Sequence, residues 1–483
     1  MTSPFKEAQL LASAKYGYQF RDEFVRNMFD SIAAQSPCFP ISPEHVSIIE
    51  TPTKFYEGLV EGIQRSKERV VLSSLYLGTD HHEQKIVQEL DSALTRENNL
   101  QVVILLDYLR GTRHTSDTNK TSSLSMLEPL VEKYGKDRVN ICFYHTPNLS
   151  GFWKHVLPPR VNEIIGVQHM KLYIFDDDMV ISGANLSDWY FVDRQDRYML
   201  LKNEKRVVDF FEGLVKTVQS FSYKLVSKGN LVISSPDPVS DTKQFRAFAG
   251  DAVKKYFFDQ RWSNIADRVT DTWIFPTIQM GQINVRHEQY LISGIINAAC
   301  KNSQLTLTSA YFNFTDEYLK NVLTTSCSNI SILTACPQAN GFFTAKGISK
   351  NIPMAYDTME QEFYSNVERN NKVHSINLFE YMREKWTFHA KGLWLYSPNK
   401  KFEAPCLTMV GSSNFGQRST ERDVEAQMIV LTENEDLMKR MEEEKQSLMK
   451  YSKAVSKQTF AAPERKIGKV SQLLVSKFFH KFL

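Results

Sequence analysis

Residues 169–185 of the chain read HMKLYIFDDDMVISGAN, and this stretch decides the fold. A second stretch, HAKGLWLY, occupies residues 389–396 and is followed by GSSN at residues 411–414. In both copies a histidine and a lysine stand two positions apart, ahead of an apolar run that is typical of a β-strand. Alternate residues of a strand point to the same face, so each histidine shares a face with its lysine.

Both stretches belong to a longer internal repeat. The segment VLSSLYL at residues 71–77 resembles TLTSAYF at residues 306–312, and Asp196 and Glu425 follow the two histidines in equivalent places. Elements that recur in the same order at near-constant spacing indicate duplicated halves. The Ser- and Pro-rich segment at residues 234–240 marks the boundary between them. We therefore predict an N-terminal half over residues 1–235, a C-terminal half over residues 236–455 and a basic tail over residues 456–483. The histidine–lysine elements span about residues 163–189 and 383–418.

Apolar, β-rich runs alternate with amphipathic helical stretches along both halves, and this alternation predicts an α/β protein. In the first half we predict helices at residues 56–67 and 83–95 and strands at residues 69–77, 100–106, 139–144, 171–175 and 179–182. In the second half we predict strands at residues 305–312, 330–334, 392–396 and 407–410. Each half is expected to form a central β-sheet flanked by helices, with the active site at the interface between two pseudo-symmetric halves.

The composition excludes several classes of protein. The 483 residues are 42% hydrophobic and 23% charged, as in folded globular proteins, so the chain is not mostly disordered. Lysine and arginine number 58 against 55 acidic residues, and the net charge of +3 gives no global case for nucleic-acid binding. The six cysteines form no CxxC pair and indicate thiols of a reducing compartment rather than a disulfide framework. No apolar run approaches the ~20 residues that cross a bilayer.

The histidine–lysine pairs carry the chemistry. A lysine buried beside a histidine needs an anionic partner, and a phosphate group supplies one. Two histidines, one from each half, suit double displacement at phosphorus, in which one attacks as neutral imidazole and the other transfers the proton. Either carboxylate, Asp196 or Glu425, is a candidate to orient a histidine and fix its tautomer. Asn185 and Asn414 supply further hydrogen-bond donors. No metal-ligand cluster is evident in the sequence, and this chemistry requires none.

The duplicated HxKx4D and GSxN pattern resembles that of the phospholipase D superfamily, over about residues 66–430. The resemblance implies two phospholipase D-like halves and a phosphohistidine mechanism. The catalytic residues that it implies are His169, Lys171, Asp176, His389 and Lys391. Tyr396 stands where the second copy of the pattern has an aspartate. In the superfamily that aspartate supports the fold of the site more than it reacts, so the change does not exclude activity.

Within the superfamily, six segments are similar to the eukaryotic phosphatidylglycerophosphate synthases. They are NEIIGVQHMK at residues 162–171, GANLSD at 183–188, DRQDRY at 193–198, SLYLGT at 74–79, RGTR at 110–113 and HAKGLWLY at 389–396. This similarity implies transfer of a phosphatidyl group from CDP-diacylglycerol to sn-glycerol 3-phosphate, with release of CMP. It also implies that no cofactor is required, and a mitochondrial location with peripheral association with the inner membrane.

Both substrates of such a reaction are polyanions, so cations beyond the two lysines are expected, and arginine suits phosphate because it binds with two parallel hydrogen bonds. The candidate phosphate-binding arginines are Arg110, Arg113, Arg194, Arg197 and Arg418. A strand end that runs into a helix can also hold a nucleotide, either ATP or the CDP of the substrate, on free backbone N–H groups. The residues with that pattern are Ser73, Ser74, Leu75, Tyr76, Leu77, Gly78, Thr79 and Asp80. The chain has no GxxxxGK motif.

A lipid substrate requires contact with a bilayer. Residues 466–483 place apolar side chains on one helical face and lysines on the other, which is the pattern of a helix at an anionic membrane surface. The same pattern fits a helix docked on the protein's own core. Phe152-Trp153-Lys154 and Phe342-Phe343 are further candidates for loops that dip into a bilayer.

Several alternatives stay open on the sequence. Water or another alcohol as acceptor would give a phospholipase D, a phosphatidylserine synthase or a cardiolipin synthase. The superfamily also includes nucleases, although the lack of a long basic stripe counts against nucleic acid. The tyrosine at position 396 leaves room for an inactive scaffold. The sequence does not decide the acceptor, the oligomeric state or which histidine is the nucleophile.

Overall fold

The computed structural model describes residues 17–116, 120–149, 165–263, 269–343, 352–399 and 403–465. These residues form two nine-stranded β-sheets flanked by helices, and a two-stranded ladder connects the sheets. The strands are β1 (Phe39–Pro40), β2 (Val46–Ile49), β3 (Arg69–Ser73), β4 (Gln101–Asp107), β5 (Val139–Tyr144), β6 (Leu172–Phe175), β7 (Asp178–Ser182), β8 (Arg194–Gln195), β9 (Tyr198–Leu201), β10 (Tyr223–Ser227), β11 (Asn230–Val232), β12 (Thr272–Gln279), β13 (Gln304–Thr308), β14 (Asn329–Ala335), β15 (Ile376–Tyr381), β16 (Thr387–Phe388), β17 (Gly392–Tyr396), β18 (Leu407–Gly411), β19 (Glu425–Thr432) and β20 (Ser452–Ala454). The α-helices are α1 (Glu23–Ala33), α2 (Pro52–Arg65), α3 (His81–Arg96), α4 (Tyr108–Gly111), α5 (Ser123–Tyr134), α6 (Trp189–Val192), α7 (Lys205–Gln219), α8 (Thr242–Ser263), α9 (His287–Ala298), α10 (Asp316–Thr324), α11 (Ile352–Arg369), α12 (Gln417–Glu421), α13 (Glu435–Met449) and α14 (Lys457–Ala461).

The two sheets share the order of eight strands, and the terminal strands β11 of the first sheet and β1 of the second have no counterpart. The first runs β11-β10-β5-β4-β3-β6-β7-β9-β2, and the second runs β20-β15-β14-β13-β17-β18-β19-β12-β1. In each sheet three neighbouring strands are parallel, β3-β4-β5 in the first and β13-β14-β15 in the second. The remaining neighbours are antiparallel. The predicted α/β fold with two pseudo-symmetric halves is therefore confirmed.

One strand near the N-terminus contributes to the second sheet. The strand β1 pairs with β12 in antiparallel register, with Phe39 opposite Ile274. The segment before β2 therefore crosses to the sheet that is built mostly from the C-terminal half of the chain. The boundary between residues 235 and 236 stays a prediction.

Local sequence explains why individual elements form, and α2 is an example. The Thr51 hydroxyl caps the helix by accepting a hydrogen bond from a first-turn N–H at 3.2 Å, and Pro52 occupies the first turn. Phe55, Leu59 and Ile63 repeat every four residues and are fully buried. This one-sided apolar stripe packs the helix against the first sheet.

The predicted strands are present in both halves, although two of them end early. The strands expected at residues 69–77 and 305–312 stop at Ser73 and Thr308. In the first half the side chain of Gln168 occupies the gap that opens there, donating from Nε2 to the carbonyl of Ser74 at 2.8 Å. The chain beyond Ser73 therefore separates from β6, while Ser74 and Leu75 remain hydrogen-bonded to β4.

Apolar side chains from both sheets form one buried core between them. A second core covers the outer face of the first sheet, beneath α2, α3 and α5. Within the described ranges, no helix is long and apolar enough to cross a membrane. The predicted tail helix at residues 466–483 and the segment Phe152-Trp153-Lys154 lie outside the described residues.

Candidate active site

The two histidines lie where the halves meet. The backbone N–H of His169 donates to the carbonyl of Val424 at 2.9 Å, and that of His389 donates to the carbonyl of Gln195 at 2.7 Å. Each acceptor directly precedes a candidate carboxylate of the opposite half. The pairing of β8 with β16 and a bridge at Val424 therefore bring each histidine beside a carboxylate from the other half.

Each histidine is held by that carboxylate. Nδ1 of His169 lies 3.0 Å from both carboxylate oxygens of Glu425. Nδ1 of His389 lies 2.6 Å from Oδ2 of Asp196. A carboxylate that accepts the Nδ1 proton orients the ring and leaves Nε2 to react. The sequence identified both carboxylates but not which histidine each one serves, and the structure pairs them crosswise.

Burial sets the protonation of these groups. Desolvation, together with a neighbouring lysine, holds the pKa of His169 and of His389 well below the usual 6.5. Both imidazoles are therefore neutral in the free protein, which is the nucleophilic form. Burial raises the pKa of Glu425 to about 7 and that of Asp196 to about 6, because the lysines only partly offset the cost of a buried negative charge.

Two buried lysines stand beside the histidines. Nζ of Lys171 donates to the carbonyl of His169 at 2.7 Å. Nζ of Lys391 lies 2.8 Å from Nδ1 of His389 and 3.7 Å from Oδ2 of Asp196. Burial lowers the pKa of Lys171 well below its usual value and that of Lys391 to about 8. An anionic ligand would favour the charged ammonium groups, so the pair suits a phosphate.

The small residues after β7 have a steric role. A Cβ atom at Gly183 would lie 2.9 Å from Nζ of Lys391 and 2.7 Å from Oδ1 of Asp196. Any side chain at this position would therefore push the lysine and the carboxylate apart. The absence of a side chain at Gly183 thus keeps the backbone close to the charged groups.

The two asparagines differ in their contacts. Asn185 is buried, and its Oδ1 has no hydrogen-bond partner among the described residues. A buried amide oxygen without a partner is costly, so this side chain is available to a ligand. In the second copy, Oδ1 of Asn414 accepts from the Ser309 hydroxyl at 3.3 Å.

Tyr190 and Tyr311 border His389, Tyr356 lies behind Tyr311, and none of the three belongs to the predicted catalytic residues. The hydroxyl of Tyr190 lies 3.3 Å from Nε2 of His389. The ring of Tyr311 lies 5.7 Å from the imidazole and stacks on Tyr356 at 5.3 Å between ring centres. In the sequence, the signal for Tyr311 is its place in the repeated segment TLTSAYF. The signal for Tyr190 is its position two residues after the GANLSD segment.

Two of the candidate arginines flank the histidines. The positive charge of Arg194 contributes to the lowered pKa of His389, and that of Arg418 contributes to the lowered pKa of His169. Arg418 also pairs with the buried Asp423 at 3.0 Å. Both arginines therefore lie within electrostatic reach of a phosphate bound between the histidines.

Two other arginines lie around α4 and stay predictions as phosphate ligands. The guanidinium of Arg110 is 4.1 Å from the ring centre of Tyr76. Arg113 is half-buried in the loop that follows α4.

The structure corrects the phosphate-binding role expected for the fifth arginine. Arg197 is buried, and its Nε and Nη2 bind the carboxylate of Glu444 at 2.8 and 2.7 Å. It also donates to the Met409 carbonyl and the Thr408 hydroxyl, each at 2.7 Å, and lies 3.8 Å from the ring centre of Trp394. With its donors used in this way, Arg197 connects the two halves and is not a phosphate ligand.

Asp176 is a second correction. It follows β6, at the opposite end of that strand from His169. Its carboxylate accepts hydrogen bonds from the backbone N–H groups of Lys67, Glu68 and Arg69 at 2.9 to 3.2 Å. The residue itself is in the left-handed region, with φ of 51°. Asp176 therefore fastens the β6–β7 turn to the start of β3, and we propose a structural role for it in place of the expected catalytic one.

Tyr396 takes the corresponding place in the second half. Its hydroxyl contacts Glu442 and accepts from Nζ of Lys445 at 2.5 Å, both on α13. The first half therefore has an aspartate that anchors a turn, and the second half has in its place a tyrosine that contacts a helix.

The structure argues against phosphate binding at two residues of the expected turn at residues 73–80, Leu77 and Gly78. The backbone N–H of Leu77 donates to a serine hydroxyl of α5 at 3.1 Å, and that of Gly78 donates to a carbonyl beyond β7 at 2.8 Å. The buried carboxylate of Glu83 also lies against Gly78. These two N–H groups are thus already paired beside a negative charge, which disfavours a phosphate.

One group of side chains beside the site has the residue types of a metal centre. Potential ligand atoms of His169, Asp423 and Glu425 lie within 4.8 Å of one another. The Asp423 carboxylate, however, pairs with Arg418 at 3.0 Å, and Lys171 adds a further cation close to Glu425. With a basic side chain already beside each carboxylate, this set of residues does not favour a divalent cation.

Comparison with known proteins agrees with this geometry. The chain is 40% identical to the probable CDP-diacylglycerol–glycerol-3-phosphate 3-phosphatidyltransferase of Dictyostelium discoideum over 477 residues, which cover 94% of this chain and 81% of the relative. It is 36% identical over 496 residues to the mitochondrial CDP-diacylglycerol–glycerol-3-phosphate 3-phosphatidyltransferase of Homo sapiens, covering 95% and 86%. The crystal structure of phosphatidylserine synthase from Haemophilus influenzae superposes with a TM-score of 0.71 at 17% identity, covering 94% of this chain and 97% of that one. No protein-family model matches the chain.

Two equivalent sheets that each bring a histidine–lysine pair to a shared interface define a phospholipase D-like fold. The similarity to phosphatidylserine synthase supports this fold and, at 17% identity, nothing finer. The extent and identity of the sequence matches go further. The chain belongs to the family of CDP-diacylglycerol–glycerol-3-phosphate 3-phosphatidyltransferases.

Proposed function

We propose that this enzyme transfers the phosphatidyl group of CDP-diacylglycerol to sn-glycerol 3-phosphate, giving phosphatidylglycerophosphate and CMP. The observation that carries the proposal is the pair of neutral histidines, each held at Nδ1 by a carboxylate and accompanied by a buried lysine. The substrates are those named for the relatives from Dictyostelium discoideum and Homo sapiens.

His169 is the proposed nucleophile. Its Nε2 has no hydrogen-bond partner among the described residues, whereas Nε2 of His389 lies 3.3 Å from the hydroxyl of Tyr190. His169 also belongs to the copy of the motif that keeps its aspartate. His389 then acts as the general acid and base.

In the first half-reaction, Nε2 of His169 attacks the phosphatidyl phosphorus and the bond to the CMP oxygen breaks. The diphosphate of the substrate brings negative charge to His389 and raises its pKa, so that His389 takes up a proton from solvent and passes it to the leaving group. Lys171 and Lys391 oppose the charge that develops on the phosphoryl oxygens. The product is a phosphatidyl-histidine.

In the second half-reaction, the primary hydroxyl of glycerol 3-phosphate attacks the same phosphorus. His389 accepts the proton of that hydroxyl, and His169 leaves as neutral imidazole. His389 then releases its proton to solvent as the products depart, which returns the enzyme to its starting state. Arg194 is the proposed ligand for the phosphate of the acceptor, since it borders His389. A bound acceptor has a high effective concentration, which favours it over water.

The setting of the reaction is also part of the proposal. The relative from Homo sapiens is named mitochondrial, and we propose a mitochondrial location with peripheral attachment to an anionic inner-membrane surface. The reaction as written needs no cofactor, because its residues supply the nucleophile, the proton and the opposing charge. A contact between the substrate's CDP and Tyr76 is the remaining role proposed for residues 73–80.

An exchange experiment tests the proposal. Purified enzyme with CDP-diacylglycerol and labelled CMP, without acceptor, should incorporate label into the lipid, because a covalent intermediate forms reversibly before the acceptor binds. Addition of glycerol 3-phosphate should then yield phosphatidylglycerophosphate faster than serine, phosphatidylglycerol or water react. Rapid formation of phosphatidic acid regardless of acceptor would identify a phospholipase. Absence of CMP exchange would indicate direct transfer without a phosphohistidine.

A further inference from the structure

A groove of about 390 Å³ opens at the junction of the two halves. Large apolar side chains on its rim are exposed to solvent: Trp189 is 55% exposed, Phe343 53% and Met382 43%. Trp386 lines the same groove, with the guanidinium carbon of Arg383 3.5 Å from its ring centre. Several exposed apolar side chains around one groove mark an interaction surface rather than ordinary solvent-facing surface.

The groove and the active site share a wall formed by Arg194. Nε of Arg194 donates to the hydroxyl of Thr387, a groove residue, at 3.1 Å. A Cβ atom at Gly341, which also lines the groove, would lie 2.8 Å from Nη2 of Arg194. On its other side the guanidinium lies 4.6 Å from the ring centre of Tyr190, whose hydroxyl is 3.3 Å from Nε2 of His389. The groove therefore ends close to a reacting histidine.

The charges in the groove nearly cancel. Arg383 and Lys385 are accompanied by Asp193 and Glu384. Attraction to anionic lipid therefore contributes little here, and any docking must depend on burial of the apolar rim. Aromatic side chains with polar neighbours suit the level of lipid headgroups at a bilayer surface.

We propose that this groove docks on a lipid bilayer, with Phe343, Met382 and Trp189 entering the interface. A lipid headgroup at the groove then has a short path past Arg194 to the histidines, without leaving the membrane. The inference rests on the proposed function, because the occupant of the groove follows from a lipid substrate. Docking itself can be measured without turnover.

The test uses the full-length double variant Phe343→Ser/Met382→Ser and a matched control, Phe258→Ser/Tyr290→Ser. Phe258 and Tyr290 are 59% and 60% exposed on α8 and α9, so the control removes the same kind of surface from other elements. In co-sedimentation with neutral phosphatidylcholine vesicles, we expect the groove variant to bind about tenfold more weakly than the wild type, because two apolar side chains are lost. The control should bind as the wild type does, and the loss should be the same at low and high salt.

Activity provides the second readout. The groove variant should lose about tenfold in kcat/KM for long-chain CDP-diacylglycerol in vesicles, in line with its weaker binding. It should turn over a short-chain, monomeric CDP-diacylglycerol at the wild-type rate. Unchanged vesicle binding, an equal loss on both substrates, or a loss confined to anionic vesicles at low salt would each overturn the proposal. If the wild type turned over neither lipid, the proposed function would fail, and co-sedimentation would still decide whether the groove docks on membranes.

Discussion

Nδ1 of His169, in the first half of the chain, lies 3.0 Å from both carboxylate oxygens of Glu425, in the second half. Asp196 of the first half holds His389 of the second half in the same way. Neither half therefore contains a complete histidine–carboxylate pair. The interface between the halves is what assembles the proposed catalytic groups.

Replacement of either histidine by alanine should lower turnover by at least about 10³-fold, because the nucleophile or the proton carrier is lost. The exposed His374 is a suitable control, and His374→Ala should keep full activity. With CDP-diacylglycerol labelled at the phosphatidyl phosphate, acid-labile label should accumulate on His169 in the H389A variant. Label on His389 in the H169A variant would reverse the roles that we assign.

Asp196→Asn should move the alkaline limb of the pH dependence of kcat toward lower pH by about one unit. The negative charge of Asp196 lies 2.6 Å from Nδ1 of His389 and favours its protonated form, so removal of the charge lowers the pKa of the general acid. The profile should be measured across neutral pH, with Asp91→Asn as a control, since Asp91 pairs with Lys133 on the surface. An unchanged limb would show that His389 is not the acid.

Arg194 and Arg197 should respond differently to substitution by glutamine. Arg194→Gln should raise the KM for glycerol 3-phosphate by about tenfold with an unchanged melting temperature, because a charged phosphate contact is lost. Arg197→Gln should lower the free energy of unfolding by about 3 kcal/mol, because it leaves the buried carboxylate of Glu444 unpaired. A stable R197Q enzyme with a raised acceptor KM would instead support a phosphate-binding role for Arg197.

Asp176→Ala should destabilise the fold by about 2 kcal/mol, because three backbone N–H groups lose their acceptor. The folded enzyme should keep a kcat close to that of the wild type. Chemical denaturation and kinetics below the unfolding transition measure the two effects separately. The neighbouring Asp177→Ala is the control. A large loss of kcat at unchanged stability would restore the catalytic role expected from the sequence.

Glu288→Gln should stabilise the protein at alkaline pH. Glu288 is buried beside Thr277, whose hydroxyl donates to it at 2.8 Å, and burial raises its pKa to about 7 from the usual 4.5. The folded state thus binds this proton more tightly than the unfolded state, and stability falls as pH rises from about 4.5 to about 7. Glutamine removes this penalty, so the free energy of unfolding should rise by about 2 kcal/mol at about pH 8 and change little at about pH 5. Glu23→Gln, on the surface of α1, is the control, and an equal effect at both pH values would contradict the argument.

The repeat made much of the fold predictable. Residues 169–185 and their second copy indicated two equivalent sheets, and the histidines and lysines of both copies do meet at the interface. The strands were predicted well because buried parallel strands form continuous apolar runs, as residues 102–106 of β4 do. The apolar pattern predicted a strand that continues too far beyond Ser73. The side chain that fills the gap between the chain and β6 there belongs to Gln168, which lies in a distant segment.

Contacts between the halves could not be predicted from spacing alone. The segment DRQDRY offers two arginines of the same type, and only the position of Glu444 on α13 shows that Arg197 is used within the protein. The pairing of each histidine with the carboxylate of the other half could not be predicted for the same reason, because Asp196 is nearer in sequence to His169 than to His389. Tyr190 and Glu288 were missed because they belong to no repeated pair.

Crosswise pairing also limits how such a chain can arise. A protein with only one half would hold its histidine apart from its own carboxylate, and it would complete a site only by pairing with a second copy of itself about a twofold axis. Fusion of two copies removes that symmetry requirement, so each copy becomes free to change alone. Tyr396, which stands where the first half has Asp176, is such a one-sided change. An ancestor with two interchangeable histidines could in this way acquire a dedicated nucleophile and a dedicated proton carrier.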